Sequence, residues 1–133
     1  MKSANDKAVR PAHLQAGDRA EVLARQYLEQ QGLRCIQSNY RCRLGELDLV
    51  MRDGTVLVVV EIRYRRNPGP VPPEATVGIA KRRKILRATR HYLQQMPALR
   101  DCAVRFDILA LSGPLDRAKL QWLRGAFDGE GRA

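Results

Sequence analysis

The sequence has no run near the roughly 20 apolar residues needed to cross a bilayer. Its opening, MKSANDKAVRPAHLQAG, lacks the apolar centre of a signal peptide, so the expectation is a cytoplasmic protein with no membrane partner. Cysteine is scarce. Cys35, Cys42 and Cys102 are an odd set, and Cys35 to Cys42 is not a close-pair ligand spacing, which leaves them as reduced small hydrophobes. His13 and His91 stand apart from every acidic motif and receive no role. Internal repeats and low-complexity tracts are absent. Acidic residues are also in deficit: fourteen Asp and Glu face twenty-four Lys and Arg, for a net charge of +10. Such a field attracts polyanions, nucleic acid first, although ribosomal or anionic-membrane surfaces would satisfy it too. Charge alone names no reaction.

What is present suits one domain. A hydrophobic fraction of 44% over 133 residues supplies one core and not two. The expected division is a flexible lead-in over 1–15, a domain over 16–127 and a tail over 128–133. From Gly17 to Gln31, Ala20, Leu23, Ala24, Tyr27 and Leu28 recur at helical steps, and Gly32 supplies the stop. Glu21 stands at the edge of that stripe. Leu33 to Gln37 reads as a short strand before a turn at Ser38 and Asn39. Arg63 to Pro73 holds four prolines and must be a loop. Glu74 to Met96 reads as a helix, apolar at Ile79, Leu86, Tyr92, Leu93 and Met96, basic at Lys81, Arg82, Lys84, Arg87 and Arg90, and ended by Pro97. Ala103 to Leu111 alternates as a strand, and Lys119 to Leu123 is read as a last one. The order implies an α/β fold with a mixed sheet flanked by helices.

The clearest element is a hairpin, Leu44 to Arg52 and Thr55 to Arg63 about the dipeptide Asp53-Gly54. With those two residues as the turn, Arg52 faces Thr55 and partners sum to 107. Glu46 then lies opposite Glu61 with Asp48 on its diagonal. Period two puts Glu46, Asp48, Glu61 and Arg63 on one face, against Leu47, Leu49, Met51, Val58, Val60 and Ile62 on the other. Clustered carboxylates beside a valine run repel one another unless something offsets the charge. Mg²⁺ or Mn²⁺ would do so, as would ion pairs with Arg41, Arg43, Arg63 or Arg65. The residues alone leave both open.

At this point the chain resembles a known family. Asn39-Tyr-Arg-Cys-Arg-Leu-Gly-Glu-Leu-Asp48-Leu-Val, with Val58-Val-Val-Glu61-Ile-Arg63-Tyr-Arg65, is similar to the hallmark of the YraN-like proteins. These fall within the broad PD-(D/E)xK superfamily of Holliday-junction resolvases and restriction endonucleases. The likeness extends from Gly17, Glu21 and Tyr27-Leu28 through Lys81, Ile85 and Arg105-Phe106-Asp107 to Ala126-Phe127. It implies a restriction endonuclease-like fold and a metal-dependent endonuclease. Asp48 and Glu61 match the metal carboxylates, with Glu21 completing the set and Glu46 accessory. Arg63 stands where the superfamily has its catalytic lysine, so the usual VEVK is VEIR here. An arginine stays protonated and can only orient or neutralise charge; Lys81 or Lys84 could take over the lysine's role.

On this resemblance, Asp48, Glu61 and Arg63 are the expected catalytic group, with Mg²⁺ or Mn²⁺ as cofactor. Arg41, Arg43, Arg65, Arg66, Lys81 and Lys84 are expected to hold a DNA or other nucleic-acid backbone without reading bases. Tyr64 stands beside the site as a rim residue or a stacking surface. Two other classes stay open: a nuclease-fold binding module that has lost hydrolysis, and an adaptor that uses the apolar run and Trp122 in a homodimer.

Overall fold

A computed structural model describes residues 12–132, with side chains from Ala16 onward. Lys2, Lys7, Arg10 and the side chain of His13 lie outside the described residues. Helix α1 (Ala12–Gln30) begins inside the stretch expected to be a lead-in. Its end is built by Gly32, whose φ of 99° lets its N–H reach the Glu29 carbonyl while the Leu33 N–H reaches Leu28, closing the last turn. Three strands follow, β1 (Arg34–Cys42), β2 (Gly45–Asp53) and β3 (Val56–Arg65). Ser38 and Asn39, expected as a turn, lie inside β1, where Asn39 adopts a φ of 53°.

The proline-rich segment leads into a short 3₁₀ turn at Pro73–Thr76, then helix α2 (Ile79–Gln95). The helix therefore starts five residues later than expected. Pro97 follows its end, since proline disfavours helical backbone in the residue before it. Strands β4 (Val104–Ser112) and β5 (Lys119–Phe127) complete a five-stranded sheet in the order β1-β2-β3-β4-β5. Only β3 and β4 are parallel, joined by the α2 crossover; the other neighbours are antiparallel. The architecture is α/β, a mixed sheet with two helices, consistent with a restriction endonuclease-like fold. No helix among the described residues is long and apolar enough to cross a membrane.

Both faces of β3 are covered, which is why Leu57 to Glu61 are buried in succession. Under α1, Ala20, Ala24 and Leu28 recur at four-residue steps and pack on Leu49, Val58 and Val60. Under α2, Ile85, Ala88 and Tyr92 pack on Leu47, Val50 and Val59. Ile79, expected in that stripe, is instead 48% exposed, because the buried face of α2 is set by Ile85, Ala88, Thr89 and Tyr92. Residues 128–132 turn back on α2, where Arg82 donates to the Gly131 carbonyl at 3.2 Å.

The hairpin register differs from expectation. Asp53 pairs with Val56 and Leu49 with Val60, so partners sum to 109 and the turn residues are Gly54 and Thr55. Gly54 takes the positive φ of 60° at the first turn position, where a type II′ hairpin wants glycine.

Candidate functional site

Beyond the Leu49–Val60 pair, β2 leaves β3. The next backbone donor on β3, the Ile62 N–H, is taken by the Asp48 side chain: its Oδ2 accepts at 2.9 Å. A buried peptide donor needs a partner, and a carboxylate supplies it where the ladder stops. The two-residue alternation breaks at the same place, since Leu47 belongs to the α2-side core and Leu49 to the α1-side core. Across on β1, Asn39 with its positive φ sits between the pairs Ser38–Leu49 and Tyr40–Leu47. Asn accepts that conformation more readily than most residues.

Asp48 therefore reaches both faces. Toward α2 it meets Glu61, which is 5% exposed. Burial pushes the Glu61 carboxyl up to about 8, reinforced by the charge of Asp48 and a hydrogen bond with it, and opposed by Lys81 and Arg63. Toward α1 it lines a cleft of about 330 Å³ with Gly17, Ala20, Glu21, Ile62 and Tyr64. Glu21 accepts a hydrogen bond from Asn39 Nδ2 at 2.9 Å. Its carboxyl is raised by burial, with Asn39 pulling the other way and Asp48 adding to the rise.

Two cations stand at Glu61. Lys81 Nζ is 3.6 Å and Arg63 Nη1 3.8 Å from its Oε2. Arg63 is also tied to the 3₁₀ turn, its Nε donating to Thr76 Oγ1 at 3.2 Å and its Nη2 to the Thr76 carbonyl at 2.7 Å.

The structure thus brings Asp48, Glu61, Arg63 and Lys81 together, with Glu21 on the far side of Asp48. Glu46 is not part of the group. In the observed register it faces Arg41, not Glu61, and its carboxylate is exposed, 3.5 Å from Arg41 Nε. Arg43 is exposed in the β1–β2 turn and Arg66 is exposed just after β3. Arg65 is half-buried and donates to the Val71 carbonyl at 2.6 Å. Lys84 is exposed, while its backbone carbonyl abuts Gly45, where an added Cβ would come within 3.1 Å. Because β1 ends, β2 begins and β3 ends on the same side of the sheet, Arg41, Arg43, Arg65, Arg66 and the start of α2 share one margin with the carboxylates. Ligands of open α/β sheets bind at the carboxyl ends of parallel strands, which here is that margin.

A matching family model spans residues 20–111 and is described as uncharacterised protein family UPF0102. The chain belongs to that family. Curated UPF0102 proteins align along most of their length: 43% identity with one from Pseudomonas syringae pv. syringae, covering 90% of this chain and 98% of the relative. A relative from Alkalilimnicola ehrlichii is 41% identical, over 90% of this chain and 91% of its own. One from Legionella pneumophila is 41% identical, over 84% and 93%. The UPF0102, or YraN, family is consistent with placement in the PD-(D/E)xK superfamily. Its matched segment contains Glu21, Asp48, Glu61, Arg63, Lys81 and Asp107.

Among the described residues of this UPF0102 chain, no three His, Cys, Asp or Glu side chains gather as a metal-holding group. The donor set is the carboxylate pair. That suits Mg²⁺ or Mn²⁺, since Mg²⁺ characteristically binds through one or two carboxylates, its own waters and substrate phosphates. It also suits the chemistry of the pair: two adjoining carboxyls, one raised to about 8, hold a proton where a cation would relieve them.

Sequence reasoning overlooked Asn39 and Thr76. Asn39 carries a weak signal, as a residue tolerant of positive φ. Thr76 lies in a loop and carries none. Asp107, given no settled role, is a structural anchor, fully buried and accepting from Arg105 Nε and Nη2, Trp122 Nε1 and the Gly125 N–H. Tyr64 donates its hydroxyl to the Gly113 carbonyl at 2.9 Å, so its ring is a fixed wall of the cleft. His91 meets the Tyr40 hydroxyl, away from the carboxylates.

Proposed function

We propose that this chain is a metal-dependent endonuclease that hydrolyses DNA phosphodiesters according to strand structure rather than base sequence. The observation that carries this reading is the meeting of Asp48 and Glu61 where β2 and β3 part, with cations from two elements beside them. Asp48 and Glu61 would hold Mg²⁺ or Mn²⁺, with Glu21 behind Asp48. The metal, when bound, supplies a water of lowered pKa and neutralises the phosphate.

The chain's own residues do the rest. The Ile62 N–H fixes Asp48, so its carboxylate is set before substrate arrives. Arg63 and Lys81 place positive charge at the buried Glu61. Arg41, Arg43, Arg65, Arg66, Lys81 and Lys84 offer backbone contacts along the margin, which set register and affinity without sequence readout. This DNA reading agrees with the net charge of +10.

The test is a gel assay on end-labelled flap, four-way junction and single-stranded DNA with Mg²⁺ or Mn²⁺. Cleavage by the wild type, lost with chelator and in Asp48→Ala and Glu61→Ala, is expected. Binding with no cleavage in any sample would mark a binding module, and equal cleavage in all would mark a contaminant.

A further inference from the structure

The two cations at Glu61 are held differently. Arg63 presents its Nε and Nη2 edge to Thr76, and the Thr76 hydroxyl in turn donates to the Pro73 carbonyl at 2.6 Å. That edge is one of the two by which a guanidinium grips a phosphate or carboxylate with two parallel bonds. It is spent on the 3₁₀ turn, leaving Nη1 for Glu61 at 3.8 Å. Lys81 is committed to less. Its Nζ carries three donors, its side chain is 36% exposed, and its recorded partner among the described residues is Glu61 at 3.6 Å, an ion-pair distance longer than a hydrogen bond.

Lys81 also sits in the first turn of α2. Gly78, which precedes that helix, gives it no side-chain cap, and its first turn carries no acidic residue. The leading N–H groups and the helix dipole therefore favour an anion at the same end. The lysine's long flexible stem lets its ammonium follow an oxygen as it moves, which a guanidinium fixed at Thr76 does not.

We propose that Lys81 is the cation that touches the phosphate under attack, and that Arg63 is a positioning residue which fixes Glu61 to the Pro73–Thr76 turn. This rests on the reading of the site as a phosphodiesterase. In the step, a water oxygen bonds to phosphorus as the P–O ester bond breaks. The water gives one proton to solvent and the departing ester oxygen takes one up. Lys81 stays protonated throughout and donates to a non-bridging oxygen, neutralising charge in the five-coordinate state. One fragment leaves with the phosphate and the other with a hydroxyl.

The test measures kcat and KM for Mn²⁺-dependent cleavage by the full chain, with Mn²⁺ binding and thermal midpoint followed in parallel. The variants are Asp48→Asn, Lys81→Met, Lys81→Arg and Arg63→Lys. Lys81→Met is expected to lower kcat about a hundredfold with KM, Mn²⁺ binding and midpoint little changed, and Lys81→Arg to regain part of that loss. Arg63→Lys is expected to lower the midpoint and cost less in kcat than Lys81→Met. Wild-type turnover by Lys81→Met, or a loss explained by failed Mn²⁺ binding or folding, overturns the assignment while Asp48-dependent cleavage keeps the phosphodiesterase reading. An absence of Asp48-dependent cleavage in the wild type removes both.

Discussion

The Asp48 carboxylate accepts the Ile62 backbone N–H at 2.9 Å, one residue beyond Glu61. A side chain thus replaces a ladder bond where the hairpin opens, and the two carboxyls meet there. The resulting strain is electrostatic: Glu61 is buried, faces Asp48, and is only partly offset by Lys81 and Arg63.

That arrangement predicts how stability varies with pH. Glu61 is raised from 4.5 to about 8 in the folded chain, so between those values the folded state holds a proton that the unfolded state has lost. Its contribution is complete below about pH 4.5 and is lost as pH rises through about 8. Glu61→Gln mimics the protonated form. Its thermal midpoint should overtake that of the wild type progressively from pH 5 to 8.5, with Asp48, Lys81 and Arg63 unaltered. A constant offset across the range would show that Glu61 does not hold its proton.

The proposed metal binding would be linked to the same proton. Mg²⁺ or Mn²⁺ at Asp48 and Glu61 must displace it, so affinity should rise from pH 6 to pH 8 and about one proton should be released per ion. Calorimetry in buffers of differing ionisation enthalpy reads this directly. Equal apparent enthalpies in all buffers would contradict it.

Asp107 predicts a large loss of stability away from the carboxylates. It is fully buried and accepts four hydrogen bonds, two of them from Arg105. Asp107→Ala leaves Arg105 and Trp122 without that acceptor and should cost about 3–5 kcal/mol in urea unfolding. Trp122 fluorescence should report the change, since its indole N–H loses its partner.

Gly45 predicts a smaller effect at the open end of the hairpin, on the margin that holds the carboxylates. It has a φ of 151°, and an added Cβ would lie 3.1 Å from the Lys84 carbonyl of α2. Gly45→Ala should destabilise by about 1–3 kcal/mol, measured by chemical denaturation, because the β1–β2 turn must move off the helix.

Much of the fold was legible because its signals are local. The valine run of β3, the glycine stop of α1, the proline after α2 and the alternation of β4 each act within a few residues. The register was not. Asp53-Gly54 carries the strongest hairpin signal, but the turn is Gly54-Thr55, and the shift takes Glu46 out of register with Glu61; its observed partner, Arg41, comes from the other neighbouring strand, β1. A one-position change in a turn moves every partner beyond it. Asp48 and Glu61 were legible as a pair through their motif, whereas the break in alternation at Asp48 depends on a side chain pairing with Ile62, which no periodicity encodes. Lys81 was one of two lysines on a helix rich in arginine. Its selection comes from the crossover that lays the start of α2 beside the end of β3.

The measurement that bears most directly on the central claim is calorimetric titration of Mn²⁺ into the wild type and into Asp48→Ala, both checked for intact folding. A site built on Asp48 and Glu61 predicts saturable binding by the wild type and at least a tenfold weaker response from Asp48→Ala, in line with the loss of a ligand. Equal binding by the two proteins, or none by either, would contradict it.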